Sequence, residues 1–246
     1  ATNWGNAKTA PAYQWLADSI DVYEPDFTMQ TLALQAFEKD EQGELKQFTL
    51  SLLRQADINI DEIKVDIVPL SNQAKELVFT DSAGNPVPQG QVKAVRIHAG
   101  HHVQSESGKE AQFFLDLNEE SLGTKQLFWF SPILKEVFGK GKTMVIDELD
   151  RSLHPFLVQF LVELFHTPEI NQTNAQLIFT THDTTLLSLD TFRRDQIYFV
   201  EKDPHTAATE LYSLDEFSVR KNENIEKGYL LGRYGAIPYL RPEGRL

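Results

Sequence analysis

Two apolar runs, each ending in polar and chemically active residues, place the strongest limits on the fold. The first is TMVIDELD at 143–150, and the second is LIFTTHD at 177–183. A short, continuous apolar run of this kind is typical of a strand buried on both faces of a parallel sheet. The segment between them, HPFLVQFLVELFHT, has the apolar spacing of a helix, and Pro155 suits its first turn. The sequence therefore predicts parallel strands connected by a helix.

The flanking segments extend this pattern. KQLFWFSPILKEVF, at 125–138, predicts an apolar helix before the first strand, with a Ser-Pro pair that can kink it. QIYFVEKD, at 196–203, predicts a third strand of the same sheet. Strands that alternate with helices favour a parallel sheet with helices against its faces.

The first half of the chain has a different character. Residues 11–40 predict two helices, separated near EPDFT at 24–28, and 44–57 predict another. Alternating segments at 60–68, 91–100 and 111–117 predict a small antiparallel sheet, with a turn cluster at 81–90. The helical prediction for 11–40 assigns one apolar face to Trp15, Leu16, Ile20, Val22, Leu32, Leu34 and Phe37.

Composition excludes several classes of function. The chain has 246 residues, a formal net charge of −13 and no cysteine. The charge argues against non-specific nucleic-acid binding by the whole surface, and the missing thiols exclude disulfides and thiolate sites. No run of 18 apolar residues and no signal peptide is present, which predicts a soluble cytoplasmic protein that does not bind membranes. The chain starts at Ala1, so we expect it to be part of a longer protein.

GKGKT, at 139–143, resembles the end of a phosphate-binding loop. The motif GxxxxGK[ST] needs a preceding strand and a following helix, and its first glycine would have to stand at Glu136. Here a predicted helix precedes and a predicted strand follows. We therefore interpret 139–142 as a helix C-cap and turn, with lysine near the negative helix end.

Asp147 and Glu148 are the strongest candidates for chemistry. They stand at the carboxyl end of a predicted buried strand, where open α/β sheets bind ligands. One carboxylate can hold Mg²⁺, and its neighbour can orient a water for attack on a phosphoryl group. His182, at the end of the second run, could contact a γ-phosphate or that water. An alternative is a metal-dependent nuclease that uses Asp147, Glu148 and Asp150.

The order of these motifs resembles the C-terminal half of an ABC-type ATPase head. More narrowly, it resembles the SMC-like and OLD-like AAA ATPases of bacterial phage-defence and restriction-associated loci. MVIDELD is similar to their Walker B strand, RSLHP to the D-loop, TTHD to the switch region and ESLGTKQ to the signature motif. Leu122 departs from the first glycine of the signature. The tail SVRKNENIEKGYLLGRYGAIPYL is also similar to the ending of this group, so the resemblance covers roughly 118–240.

The resemblance implies a role for each matching residue. Asp147 would hold Mg²⁺ through water, Glu148 would be the catalytic base, and His182 would sense the γ-phosphate. Nucleotide contacts would come from the signature and D-loop segments, from Ser121, Gly123, Lys125, Ser152 and His154. The signature would contact ATP held by the opposite head of a dimer.

The resemblance also implies a domain plan. Residues 1–55 would end a helical insertion, 56–117 would form a mainly β segment packed on the head, and 118–246 would form the C-terminal lobe. The fold class is thus α/β, the C-terminal half of a P-loop NTPase head. Neither a phosphate loop nor a Q-loop can be placed in the 246 residues. We therefore expect weak ATP binding and little turnover by the chain alone.

Three functions remain open from the sequence. The first is an ATPase that uses ATP and Mg²⁺, pairs head to head and drives an effector protein or a nucleic-acid transaction. The second is a degenerate, non-catalytic interaction module. The third is the magnesium-dependent nuclease.

Two other clusters have simpler interpretations. His98, His101 and His102 could bind a metal, but a loop at the end of a strand is the favoured prediction. A basic stretch near the C-terminus could contact nucleic acid, but a solvated helix face is favoured because Glu223 and Glu226 interleave. Its members are Arg220, Lys221, Lys227 and Arg233.

Overall fold

The structure is a computed structural model that describes residues 9–24, 27–69, 93–104, 110–220 and 223–237. The chain divides into two compact units, 1–181 and 182–246, and each is considered by itself. Within the described ranges the helices are α1 Ala10–Ser19, α2 Phe27–Glu38, α3 Glu44–Gln55, α4 Leu122–Lys140, α5 Pro155–His166 and α6 Ile225–Leu230. The strands are β1 Ile20–Tyr23, β2 Glu62–Pro69, β3 Lys93–Gln104, β4 Glu110–Asp116, β5 Thr143–Ile146, β6 Gln176–Phe179, β7 Tyr198–Lys202 and β8 Thr209–Ser213.

A three-stranded parallel sheet forms the centre of the first unit. Its order is β1-β5-β6, so β5 lies between the other two strands. Met144 and Ile146 of β5 are each 1% exposed, as expected for the middle strand of a sheet covered by helices. The α/β fold class is confirmed: a parallel sheet flanked by helices stands beside a small antiparallel sheet. This arrangement is consistent with a P-loop NTPase-like fold.

Helix α4 is the main packing partner of the N-terminal helices. Both α2 and α3 pack against it, and the rings of Phe37 and Phe128 stack with centroids 4.7 Å apart. The hydroxyls of Thr49 and Ser131 form a buried hydrogen bond of 2.7 Å between α3 and α4. The predicted helix over 125–138 is confirmed within α4, which contains Pro132.

The prediction that 11–40 contain only helices is wrong at β1. Ile20–Tyr23 form a strand that pairs in parallel with Thr143–Ile146 of β5. Val22, assigned to a buried helix face, is 71% exposed, and Leu32 is also exposed. Apolar spacing misled the prediction because a four-residue strand is too short to show its own period.

The prediction that 196–203 add a third strand to the parallel sheet is also wrong. β7 pairs antiparallel with β8, and both belong to the second unit. Phe199 is buried, whereas Tyr198 and Val200 are exposed. A strand covered on one face alternates in this way, which is typical of antiparallel ribbons.

The antiparallel sheet of the first unit is confirmed. Its order is β2-β3-β4, with both pairs antiparallel. The predicted turn cluster at 81–90 lies outside the described residues. The loop prediction for the histidines is wrong, because His98, His101 and His102 all lie within β3. Alternation continues through them, and β4 pairs with this part of β3.

The predicted C-cap at 139–142 is confirmed. α4 ends at Lys140, Gly141 adopts the left-handed conformation with φ of 65°, and β5 follows. A Cβ on Gly141 would lie 2.8 Å from the carbonyl oxygen of Thr173. Both the left-handed backbone and this close contact therefore require glycine at this position. Lys142 donates to Asp21 at 2.7 Å and to Glu136 at 3.0 Å. The hydrogen bond with Asp21 raises the pKa of Lys142.

The second unit is built on an aromatic core. Its buried residues include Phe199, Leu214, Ile225 and Tyr234, and the ring of Tyr229 stacks on Phe199. The tail returns to the β7–β8 ribbon, where the Tyr212 hydroxyl donates to the carbonyl oxygen of Tyr234 at 2.7 Å. The tail motif thus has a packing role within this unit.

No helix among the described residues is long and apolar enough to cross a membrane.

Candidate functional site

The site is centred on the two carboxylates that follow β5. Because Tyr23, Ile146 and Phe179 end three paired parallel strands in register, the residues after them meet at one sheet edge. Asp147 and Glu148 lie at this edge, and both side chains are exposed to solvent. The backbone N–H of Asp147 donates to the carbonyl oxygen of Tyr23 at 3.3 Å, which continues the β1–β5 pairing. The predicted position at the carboxyl end of a buried strand is therefore observed.

Thr180 joins the two acidic residues to the neighbouring strand. Its hydroxyl donates to Oδ1 of Asp147 at 2.5 Å and accepts the backbone N–H of Glu148 at 2.8 Å. Its own backbone N–H and carbonyl bond Ile146 and Leu149, at 3.1 and 3.0 Å. Thr180 was not among the candidate site residues predicted from the sequence. Its signal was its position: it directly follows the apolar run of β6, as Asp147 follows that of β5.

The backbone between β5 and α5 takes an unusual path. Glu148 and Ser152 have φ values of 52° and 64°, in the left-handed region. For residues other than glycine this conformation costs roughly 1–2 kcal/mol each. The side chains of Leu149 and Leu153 are buried, with 1% and 9% exposure, and hold this segment against the core. Such local strain clusters at functional sites, where the surrounding structure holds it in place.

The signature-like segment begins helix α4. Ser121 is the N-cap, and its Oγ accepts the backbone N–H of Thr124 at 3.1 Å. Lys125 turns back, and its Nζ donates to the carbonyl oxygen of Asn118 at 3.0 Å. Leu122, which departs from the signature pattern, is 66% exposed.

The D-loop-like segment lies beside the signature-like segment of the same chain. A Cβ added to Gly123 would lie 3.8 Å from the carbonyl oxygen of Ser152 and 3.5 Å from Leu157. These are ordinary contact distances, so a small side chain fits there. His154 is the N-cap of α5, and its Nδ1 accepts the backbone N–H of Phe156 at 3.3 Å. The structure thus brings Gly123 and Ser152 together and gives His154 a capping role.

His182 is the first residue of the second unit, and its side chain is exposed. The next residue, Asp183, caps a short helical turn by accepting the backbone N–H of Thr185 at 3.0 Å. The predicted role of His182 toward a γ-phosphate stays a prediction.

The described part of the chain does not hold a clustered metal site. It contains no group of three or more His, Cys, Asp or Glu side chains that could bind an ion together. Asp147, Glu148 and Asp150 therefore do not converge as the nuclease alternative requires. The three histidines of β3 each meet a different carboxylate: His98 meets Asp66, His101 meets Glu120 and His102 meets Asp61.

The site can accommodate magnesium in a different way. Mg²⁺ prefers oxygen ligands and keeps several waters, so one or two carboxylates suffice to hold it. The exposed carboxylate of Asp147, fixed by the Thr180 hydroxyl, has this chemistry. Glu148 stands beside it, on an edge where open α/β sheets bind their ligands.

The fold and this edge are consistent with a P-loop NTPase-like protein. Residues 10–188 match the family model described as "AAA domain, putative AbiEii toxin, Type IV TA system". The match covers most of the chain, which therefore belongs to this AAA-type ATPase family. The family implies nucleotide binding and typically the use of Mg²⁺. No curated protein matches the chain.

Proposed function

We propose that the chain supplies the hydrolytic edge of an ABC-type, SMC-like or OLD-like ATPase head. The observation that carries the proposal is the Asp147–Glu148 pair, held at the carboxyl end of the middle parallel strand by Thr180. An adjacent pair of carboxylates has two separable uses, one toward a cation and one toward a water. The family match over 10–188, which includes all the candidate site residues, supports the same reaction class.

Each candidate residue has a separate role in ATP hydrolysis. Asp147 orients the waters around the magnesium position, and Glu148 accepts the proton of the attacking water. His182 contacts the γ-phosphate. When bound, Mg²⁺ neutralises the charge that develops on the phosphate oxygens. Ser121, Gly123 and Lys125 contact nucleotide held by a second head, with Ser152 and His154 at the facing D-loop.

We propose that the phosphate cradle comes from outside these residues. The 246 residues contain no GxxxxGK[ST] sequence, and Lys142 is engaged by Asp21 and Glu136. The backbone cradle and its lysine provide much of the affinity for the β- and γ-phosphates. We therefore expect the chain alone to bind ATP weakly and to turn over little or none.

The family description, which includes the words "putative AbiEii toxin, Type IV TA system", supports a setting in bacterial defence. We propose that the complete protein works in the bacterial cytoplasm, in defence or a DNA transaction, as paired heads that act on an effector protein. Mg²⁺-ATP would be the ligand, and nucleic acid a possible further partner.

The test compares Glu148→Gln with unmodified protein, in the longest natural polypeptide that carries these residues. We expect ATP turnover to fall by about 10²- to 10⁴-fold, the usual contribution of a general base. ATP affinity, measured by titration calorimetry, should be preserved. Glu169→Gln, an exposed acid after α5, is the matched control and should leave turnover unchanged.

Two results would contradict the proposal. Turnover that survives Glu148→Gln excludes Glu148 as the base. An unmodified protein that binds ATP but never hydrolyses it supports the non-catalytic module instead. Titration calorimetry with ATP on the 246-residue chain is a further test. Micromolar ATP binding by this chain would reveal a phosphate cradle within these residues.

A further inference from the structure

A partly buried hydrogen-bonding contact connects the antiparallel sheet to the segment that begins α4. Nε2 of His101 in β3 lies 2.6 Å from Oε1 of Glu120, and the two side chains are only 18% and 11% exposed. The imidazole also stacks on Phe113 of β4, with ring centroids 5.1 Å apart and planes at 17°. The imidazole is therefore held by the Glu120 carboxylate and by the Phe113 ring, which favours one fixed geometry.

Glu120 directly precedes the N-cap of α4. Oγ of Ser121, the next residue, accepts the backbone N–H of Thr124 and so stabilises the first turn of the helix. Just before Glu120, the side chain of Leu117 is buried, with 2% exposure. The carbonyl oxygen of Asn118 accepts a hydrogen bond from the Lys125 ammonium. The Glu120 side chain joins this segment to β3, and the Asp116 side chain at the end of β4 accepts the backbone and side-chain N–H groups of Asn118.

The neighbouring histidines provide a contrast within the same strand. His102 meets Asp61 at 3.2 Å, but its side chain is 57% exposed, and Asp61 lies just before β2. His98 meets Asp66, within β2, at 3.3 Å. Both partners lie in β2 or directly before it, and neither belongs to the α4 segment.

We propose that His101 is a positioning residue that acts through Glu120 to set the first turn of α4. The proposal rests on the proposed ATPase function, because this turn carries the residues assigned to the nucleotide of the opposite head. A displacement of the sheet β2-β3-β4 would move Glu120 and with it Ser121 and Gly123.

The first measurement does not depend on catalysis. Hydrogen exchange of the α4 first turn is compared in the unmodified chain, His101→Ala and the control His102→Ala. We expect faster exchange at the amides of Thr124 and Lys125 in His101→Ala, because their bonds to Ser121 loosen. His102→Ala should leave these amides unchanged. Equal exchange in all three proteins would overturn the proposal.

The second measurement is ATP turnover by the longest natural polypeptide. His101→Ala should lower kcat by about 10- to 100-fold, as expected when a group is displaced slightly from its working position. KM for ATP should change by less than about 2-fold, since the nucleotide's own head is untouched. Glu120→Gln, which keeps the side-chain shape, provides a second variant should His101→Ala fail to fold.

A double-variant cycle separates positioning from general damage. If His101 acts through Glu120, the effects of His101→Ala and Glu120→Ala on kcat should be strongly non-additive. Additive effects, or a kcat unchanged in both, would overturn the inference and leave the ATPase proposal intact. Unmodified protein without turnover would overturn the ATPase proposal and this inference with it.

Discussion

At the scale of single residues, one hydroxyl organises the candidate site. Thr180 donates to the Asp147 carboxylate and accepts the N–H of Glu148, so it uses both hydrogen-bonding directions of its hydroxyl. The bond to the N–H helps to hold Glu148 in the left-handed conformation. The two acids thereby keep different orientations, although they are adjacent in sequence.

Replacement of Thr180 by valine tests this arrangement. Thr180→Val keeps the shape but removes both hydrogen bonds, so we expect kcat for ATP to fall about 10- to 100-fold. Because Thr180 is exposed, water can replace the lost bonds, and the free energy of unfolding should change by only about 1 kcal/mol. Steady-state kinetics and urea unfolding measure the two quantities.

The control for this variant is Thr143→Val. Thr143 bonds Gln176 at 3.3 Å, at the opposite end of the same pair of strands. Thr143→Val should leave kcat for ATP unchanged. If both valine variants reduce turnover equally, the effect comes from the sheet as a whole and the role assigned to Thr180 is wrong.

At the scale of elements, an ion pair fastens β1 to the α4–β5 turn. Lys142 and Asp21 are 15% and 26% exposed, with their charged atoms 2.7 Å apart. Burial raises the pKa of nearby Tyr23, with Asp21 and Glu136 adding to the effect. Two groups at this junction therefore hold their protons more tightly in the folded protein than in the unfolded chain.

This junction should weaken at alkaline pH. A lysine or tyrosine whose folded-state pKa is raised adds stability that is complete below its unfolded pKa. That stability is lost as pH rises through the folded pKa. Both shifts have the same sign, so the free energy of unfolding should fall above about pH 10, near the unfolded values for Tyr and Lys.

Lys142→Met tests the contribution of the lysine. We expect a loss of about 2 kcal/mol near neutral pH, typical of a hydrogen bond between charged groups. The difference from unmodified protein should shrink as pH rises above about 10.4. Lys140→Met is the control, since Lys140 is 63% exposed and such pairs contribute little. A pH-independent difference would contradict the assignment.

At the scale of the whole molecule, charge limits the partners. The net charge is −13, and the basic stretch near the C-terminus is partly neutralised within itself. Arg233 donates to Glu223 at 2.7 Å, and the backbone N–H of Arg220 also bonds this carboxylate. Only Lys227 of the stretch lies on α6, so the predicted helix face is wrong for Arg220 and Arg233; Lys221 lies outside the described residues.

We therefore expect no non-specific binding of duplex DNA by the 246-residue chain. Non-specific DNA-binding proteins have dissociation constants of about 10⁻⁴ to 10⁻⁶ M at physiological salt. Fluorescence anisotropy with random duplex DNA should show no binding in this range. Micromolar binding that weakens steeply with added salt would reveal a basic surface that the net charge conceals.

The sequence by itself determined the features that depend on neighbouring residues. The strand character of β5 and β6, the helix α4 and its glycine cap, and the acids after β5 follow from local apolar runs and turn chemistry. Local alternation also predicted the antiparallel strands β2, β3 and β4. These features are predictable because each is stabilised within a few residues along the chain.

Only the tertiary structure decided which distant residues meet. Lys142 forms an ion pair with Asp21, 121 positions away in the sequence, and the Thr180 hydroxyl bonds Asp147, 33 positions away. The same holds for β1, which joins the parallel sheet, and for β7, which leaves it to pair with β8. Strand partners and ion pairs of this kind depend on the packing of the whole unit, and a local apolar pattern fits several partners equally well.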